Sequence, residues 1–147
     1  MSSEERGQWV YLVVSVVTYG AYLVLAIGQL RQSAPADIDY APMMLAAIGV
    51  AIILSIVGRI LVAIGGHVAA EMAGRGEPLE ADVRDRDIGR FGEYAAGAVL
   101  GVAMVVPFIL TLTESDHFWI ANAVYLAFVL SAVVGTSVKL VAYRRGF

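Results

Sequence analysis

The residues of this chain that could do chemistry gather in two places. The first is Arg59, an arginine inside a long apolar block, followed by His67 and Glu71 four residues apart. An arginine in such a block could pair with a carboxylate or bind a passing anion. A histidine and a glutamate at i, i+4 share a helix face and could pair or bind a metal. The second place is the stretch 80–94, EADVRDRDIGRFGEY, with eight formal charges in fifteen positions.

The charges of this second stretch mix both signs, and in a helix they would pair with one another. Each acid precedes its base, which is the more favourable order at this spacing. The predicted pairs are Glu80 with Arg84, Asp82 with Arg86, and Asp87 with Arg90. Ile88, Phe91 and Ala95 form an apolar stripe that continues into the next apolar block. The pattern predicts a solvated, self-neutralised helix at a membrane surface.

Three other uses of the same stretch are open. Asp82, Asp85 and Asp87 could hold a divalent cation, although their spacing lacks the alternating oxygens and bidentate glutamate of a calcium loop. The D-x-x-D spacing also resembles lipid phosphotransferases, but those need a second acidic pair, and no carboxylate follows Glu93 in the next block. The third use is a docking surface for a cytoplasmic partner, which would add Arg84, Arg86 and Arg90 to the interacting residues.

The composition places the chain in a membrane. The chain has 59% hydrophobic and 16% charged residues, with a mean hydropathy of +0.76, whereas about 25% charged residues is usual in soluble domains. The absence of cysteine excludes disulfides, thiolate catalysis and Cys-based metal sites. The net charge of −3 gives no electrostatic footprint for nucleic acid. We predict a lipid bilayer as the surroundings, and no nucleic-acid partner.

Four apolar blocks reach the length of about 20 residues that a spanning helix needs. They are 9–30, 41–70, 94–113 and 117–141. The polar segment 71–93 lies between the second and the third, and residues 114–116 join the last two. So short a connection makes its two helices antiparallel neighbours. The sequence therefore predicts one all-α domain over 1–147, a four-helix membrane bundle of two hairpins with an interfacial helix before the third span.

A cleaved secretory signal is the main alternative for the first block, because Ala34 and Ala36 offer a cleavage pattern. However, the leader carries two glutamates and one arginine instead of a positive region. The apolar run of 22 residues also exceeds the 7–15 that are usual for a signal. We therefore expect the first block to remain as a span.

The basic residues predict the orientation of these spans. Eight of them fall on one side: Arg6, Arg75, Arg84, Arg86, Arg90, Lys139, Arg144 and Arg145. The other side has only Arg31. Since basic residues favour the cytoplasmic side, both termini and the polar segment 71–93 are predicted to be cytoplasmic. The predicted location is the cell membrane. His67 and His117 then lie at opposite membrane faces, so they cannot bind one ion or haem together, and no cofactor is predicted.

Small residues predict how the third and fourth spans pack. Residues Ala123, Ala127, Ser131 and Gly135 recur at every fourth position, and Gly97 and Gly101 have the same spacing in the third span. Rows of this kind let backbones approach closely, either within one chain or between two copies. Pro107 is predicted to kink the third span. In the second span, Arg59 either reaches the headgroups or pairs with another helix, or it serves the passage of an ion or substrate.

The run Asp82-Val83-Arg84-Asp85-Arg86-Asp87-Ile88 resembles the D-E-R-D-x-x-I element of a family of uncharacterised prokaryotic membrane proteins. Val83 stands where that element has an acidic residue. In the family the element lies between two helical pairs, as the four blocks predict here. The family has no established activity, so the resemblance implies this topology and no chemistry.

These observations predict a small multi-pass membrane protein that acts through protein contacts as an accessory, regulatory or structural subunit. Its interaction surface would be the segment 76–94. The alternative is a homo-oligomeric transporter or channel that uses Arg59 and nearby polar groups. The spans show no nucleophile–base pair, no paired carboxylates and no metal cage, so no enzyme is predicted.

Overall fold

The computed structural model describes residues 3–72 and 79–145, apart from the side chains of residues 3, 67, 69–71 and 79–82. The described chain is helical almost throughout and contains no strand. Its helices are α1 (Ser3–Leu30), α2 (Ala41–Met72), α3 (Leu79–Ala103), α4 (Val105–Leu112) and α5 (His117–Arg145), with a 3₁₀ turn at Pro35–Asp37. The predicted all-α fold is confirmed.

Four stretches of the described chain are long and apolar enough to cross a membrane. They are Glu4–Leu30, Ala41–Gly66, Val83–Leu112 and His117–Arg145. Large apolar side chains point outward along them: Val24 is 71% exposed and Val102 is 75% exposed. Such surfaces are rare on soluble monomers and are the ones that lipid covers. The prediction of four spanning helices in a small multi-pass membrane protein is therefore confirmed at this level.

The sequence predicted a separate interfacial helix before the third span, and the structure corrects this prediction. Helix α3 runs from Leu79 to Ala103 without a break, so the charged residues form its first half. No proline lies between positions 79 and 106 to end the helix, and arginine, glutamate and alanine favour it. The interruption comes later, at Met104. Pro107 lacks the N–H that would bond the carbonyl of Ala103, four residues earlier, and this explains the predicted kink.

A tight turn joins α4 to α5. Glu114 lies in the left-handed region with a φ of 53°. The N–H of Ser115 donates to the carbonyl of Leu110 at 3.0 Å, and the N–H of Glu114 donates to that of Thr111 at 3.2 Å. These two bonds are the Schellman ending of a helix, which satisfies carbonyls at its last turn. The turn brings α5 back alongside α4, which it contacts.

Helix α5 is the centre of the arrangement, because it packs against α1, α3 and α4, whereas α2 packs along α1. We call the end that contains residues 31–40 and 113–116 the connection end. There the ring of Tyr40 meets that of Phe118 at 5.5 Å between centroids. We call the opposite end, where Glu5 of α1 pairs with Arg144 of α5, the terminal end.

Candidate functional site

A close contact between α3 and α5 fixes the position of the charged residues. The hydroxyl of Ser131 donates to the carbonyl of Ala96 at 2.8 Å. A Cβ added to Gly135 would lie 2.7 Å from the Cβ of Ala96 and 3.0 Å from the carbonyl oxygen of Gly92. The two backbones therefore approach as closely as glycine and alanine allow. We call Gly92, Ala96, Ser131 and Gly135 the seam.

The predicted packing residues of α3 lie on another face. Gly97 and Gly101 are exposed, and a Cβ added to either would meet nothing within 4 Å. Each helical residue advances about 100° around the axis, so Gly97 is turned away from the face on which Ala96 meets α5. On α5, Ala127 is buried and Ala123 is half-buried. The assignment of Gly97 and Gly101 to the contact between the third and fourth spans is therefore wrong.

Lys139 continues the seam toward the terminal end. Its methylene stem lies against Gly92, where an added Cβ would overlap it. Its Nζ pairs with Oε1 of Glu93 at 3.7 Å. A lysine that packs its stem and keeps its ammonium group near water behaves as expected at a membrane edge. The pair helps to fix the register of α3 on α5.

Three helices share polar contacts at the terminal end. The Nε of Arg144 lies 3.9 Å from Oε1 of Glu5, and its guanidinium stands 5.4 Å from the ring centre of Trp9, in range of a cation–π interaction. The phenol of Tyr143 interacts with the carboxylate of Asp85. Ile88 is fully buried. The first half of α3 is thus anchored through Asp85 and Ile88 to the rest of the protein.

The other charges of this half of α3 face outward. We call residues 83–94 the charged segment. Arg86, Asp87 and Arg90 are exposed, and within the described side chains none of the three makes an ion pair. The predicted Asp87–Arg90 pair is therefore absent, since an exposed pair gains little energy and restrains two side chains.

Two further ion pairs were predicted at the start of α3. The predicted pairs that use Glu80 and Asp82 involve side chains outside the described residues. Arg84, whose predicted partner is Glu80, is exposed and lies near Tyr143. Among the described residues, no three His, Asp or Glu side chains lie close enough to hold a metal ion.

A shallow groove borders the charged segment. It has a volume of about 460 Å³ and lies between Phe91 of α3 and a row of apolar residues of α5 that includes Val134 and Val138. Arg145 lines the same groove. Phe91, which the sequence assigned to an apolar stripe with Ile88, is 47% exposed. The charged segment therefore combines exposed charges with an open apolar groove.

On the other side of α5, helices α1, α2 and α5 meet in a cluster of tyrosines. The rings of Tyr19 and Tyr22 both meet that of Tyr125 edge to face, with centroids 5.1 and 5.2 Å away. The hydroxyl of Tyr22 donates to Oδ1 of Asn122 at 2.8 Å. Met44 of α2 belongs to the same buried cluster. We call these five residues the aromatic cluster, and it joins the three helices toward the connection end.

Beyond the aromatic cluster, a crevice of about 760 Å³ lies between the same three helices. Its lining is mostly apolar, with side chains such as Ile52 and Phe128. The polar lining residues are Tyr11, Ser15, Thr18, Ser55 and Arg59 from α1 and α2, and Tyr125 from α5. The crevice exists because α2 packs along α1 rather than along α5.

Arg59 is the charged residue of this crevice. Its side chain is exposed, and no described carboxylate lies within ion-pair distance of it. Ser55 stands one turn earlier on the same helix and is only 9% exposed. Within the described residues its hydroxyl has no hydrogen-bond partner. The side chains of His67 and Glu71, predicted to pair with each other or to bind a metal, are outside the described part of the structure.

Sequence reasoning missed the aromatic cluster and the crevice. The signal for the first was Asn122, an amide inside an apolar block, because a polar side chain in lipid needs a partner on a neighbouring helix. The partner is Tyr22, one hundred positions earlier. The signal for the second was Ser55 beside Arg59, one helical turn apart. Neither signal shows which helix packs against these residues.

The chain matches no protein-family model, no curated protein and no solved structure. The resemblance of residues 82–88 to the D-E-R-D-x-x-I element stays a prediction.

Proposed function

We propose that this protein is an accessory or regulatory subunit of the cell membrane, which binds another membrane protein through the charged segment. Both termini and the charged segment lie on the cytoplasmic side in this proposal. The protein acts through contacts rather than through catalysis.

The observation that supports the proposal is a set of three exposed charges, Arg86, Asp87 and Arg90, which have no ion-pair partner among the described side chains. Glu5 and Glu93 have ion-pair partners on α5, whereas these three exposed charges have none among the described side chains. Their helix is held by the seam and by the buried Ile88. A fixed pattern of both signs gives specificity to a contact, because a wrong partner meets like charges.

The groove beside Phe91 supports a partner that is itself apolar at its centre. An interface usually has an apolar core and a polar rim. Here a groove of about 460 Å³ lies next to the exposed charges, near the end of the helices where a membrane meets water. The arrangement suits the end of a partner's membrane helix, with apolar side chains in the groove and charges of both signs outside it.

Charge reversal tests the contact. Tagged protein is purified from the native membrane in mild detergent, as wild type, as the double variant Arg86→Glu with Arg90→Glu, and as Arg31→Glu. Arg31 is also exposed but lies at the connection end. We expect a stoichiometric partner with the wild type and with Arg31→Glu, and its loss with the double variant. Equal recovery from all three proteins would refute the assignment to the charged segment.

Cysteine labelling tests the orientation, since the chain has no cysteine of its own. Single cysteines are placed at Arg86 and at Ala36, both in exposed positions. We expect a membrane-impermeant maleimide to label intact cells at Ala36 only, and inverted vesicles at Arg86 only. Labelling of both sites from the same side would contradict the four-span topology.

The second candidate function is a homo-oligomeric transporter, and the crevice at Arg59 is the observation that favours it. The aromatic cluster lies across the crevice toward the connection end, so a path through the membrane needs another copy of the chain. The test is anion flux into liposomes that contain purified protein. A flux that Arg59→Lys abolishes in folded protein supports the transporter, because lysine cannot reproduce a bidentate guanidinium contact. We expect no Arg59-dependent flux.

A further inference from the structure

We propose that the crevice between α1, α2 and α5 binds an anionic phospholipid, with the phosphate paired to Arg59 and an acyl chain lying toward the aromatic cluster. This site is on the opposite side of α5 from the charged segment. It does not depend on the proposed partner contact.

The shape of the crevice fits an acyl chain. Its lining on α2 extends from Met44 to Arg59, fifteen residues, or about 22 Å at the helical rise of 1.5 Å per residue. One leaflet has about half of the roughly 30 Å hydrocarbon thickness. The crevice is therefore longer than one leaflet is deep. Its volume of about 760 Å³ is in the range of small-molecule sites.

The two ends of the crevice differ in chemistry, as the two ends of a lipid do. Toward Met44, tyrosine rings and apolar side chains close it. At the other end, Arg59 and Ser55 carry polar groups that lack partners among the described residues. Tyr11 and Ser15 line the same end. A guanidinium group binds phosphate oxygens in a bidentate manner, and nearby hydroxyls can donate to the same group.

The depth of Arg59 matches a headgroup phosphate. Seven residues separate it from Gly66, the last residue of the apolar stretch of α2, which is about 10 Å along the helix. An arginine side chain can cover much of that distance by directing its guanidinium toward the membrane surface. An unpaired cation at this depth favours a lipid of net negative charge over a zwitterionic lipid, whose own cation already neutralises its phosphate.

Lipid binding can be measured by native mass spectrometry on purified, delipidated protein. The probes are dioleoyl phosphatidylglycerol and dioleoyl phosphatidylcholine, which have the same chains and differ in net charge. The variants are Arg59→Gln, which removes the charge, Arg59→Lys, which keeps it, and Ala51→Trp, which fills the crevice. Arg6→Gln removes an exposed arginine from the terminal end of α1 outside the crevice and is the matched control. Thermal unfolding in the same detergent shows that each variant is folded.

We expect the wild type and Arg6→Gln to bind phosphatidylglycerol about tenfold more tightly than phosphatidylcholine, the size of one charge-assisted hydrogen bond. Arg59→Gln should bind both lipids equally, Arg59→Lys should keep part of the preference, and Ala51→Trp should weaken both. Phosphatidylglycerol preference that survives in Arg59→Gln, or binding unchanged in Ala51→Trp, would overturn the proposal. So would a lipid-free dimer of the wild type that Ala51→Trp dissociates, because a second copy would then occupy the crevice.

Discussion

Helix α5 takes part in two contacts that differ in almost every respect. Toward α3 it presents Ser131 and Gly135, and the backbones meet so closely that an added methyl group would overlap Ala96. Toward α1 and α2 it presents larger side chains such as Phe128, and a crevice remains. One contact is filled by protein, and the other is open to the surrounding lipid.

The difference shows what holds helices together in a membrane. Apolar side chains gain little by leaving lipid for one another, so close packing and internal hydrogen bonds decide which helices associate. The seam has both, because Ser131 bonds to the carbonyl of Ala96. The crevice lacks both, since the hydroxyl of Ser55 has no hydrogen-bond partner among the described residues and the lining helices leave open space between them. Arg59 and Ser55 therefore have no partners among the described residues, and we propose that a phospholipid supplies them.

The largest expected effect is at the seam. Gly135→Leu should lower the free energy of unfolding by about 1–3 kcal/mol, the usual cost of overpacking, because the nearest atoms include the backbone of Gly92. The matched control is Gly101→Leu on α3, where the added side chain meets open space and should change the free energy by less than about 0.5 kcal/mol. Unfolding in a denaturant series in detergent measures both. Equal losses would mean that Gly101 also lies in a helix contact.

The spans could be predicted from the sequence, but the seam could not. Long apolar blocks must lie in lipid, and this fixes the number of spans but not the residue at which α3 begins. The sequence does not show which face of α3 meets α5, because Gly97-x-x-x-Gly101 and Gly92-x-x-x-Ala96 have the same spacing of small residues. The choice between them depends on contacts far apart in the sequence, such as Lys139 against Gly92.

The sequence likewise predicts some of the candidate sites and not others. Arg59 and the charged segment could be recognised from the sequence, because a charge in an apolar chain is costly and often functional. The crevice could not, since a sequence does not say that α2 packs along α1 and leaves α5. The sequence also does not distinguish the role of Asp85 from that of Asp87. In the structure, Asp85 interacts with Tyr143, whereas Asp87 is exposed.

Two hydrogen bonds allow a second comparison of the contacts. Tyr22→Phe removes the bond to Asn122 near the crevice, and Ser131→Ala removes the bond to Ala96 in the seam. Each should destabilise the protein by about 0.6 kcal/mol, the average for bonds between membrane helices, and by at most about 1.7 kcal/mol. Tyr22→Phe should have the larger effect, because it leaves Oδ1 of Asn122 without its donor, whereas the carbonyl of Ala96 keeps its helical bond. Equal or reversed losses would contradict this order.

The smallest expected effect is at Ala132, and it compares the two faces of α5 directly. Ala132 lines the crevice, whereas Ala127 is 1% exposed. The two positions are five residues apart, about 140° around the helix. Ala132→Leu and Ala127→Leu make the same chemical change in the same helix, so their intrinsic helix propensities cancel. We expect Ala132→Leu to change the free energy of unfolding by less than about 0.5 kcal/mol, because the crevice has room for the added carbons. Ala127→Leu should cost about 1–3 kcal/mol. Equal losses of unfolding free energy in the two variants would show that α2 and α5 pack against each other and close the crevice.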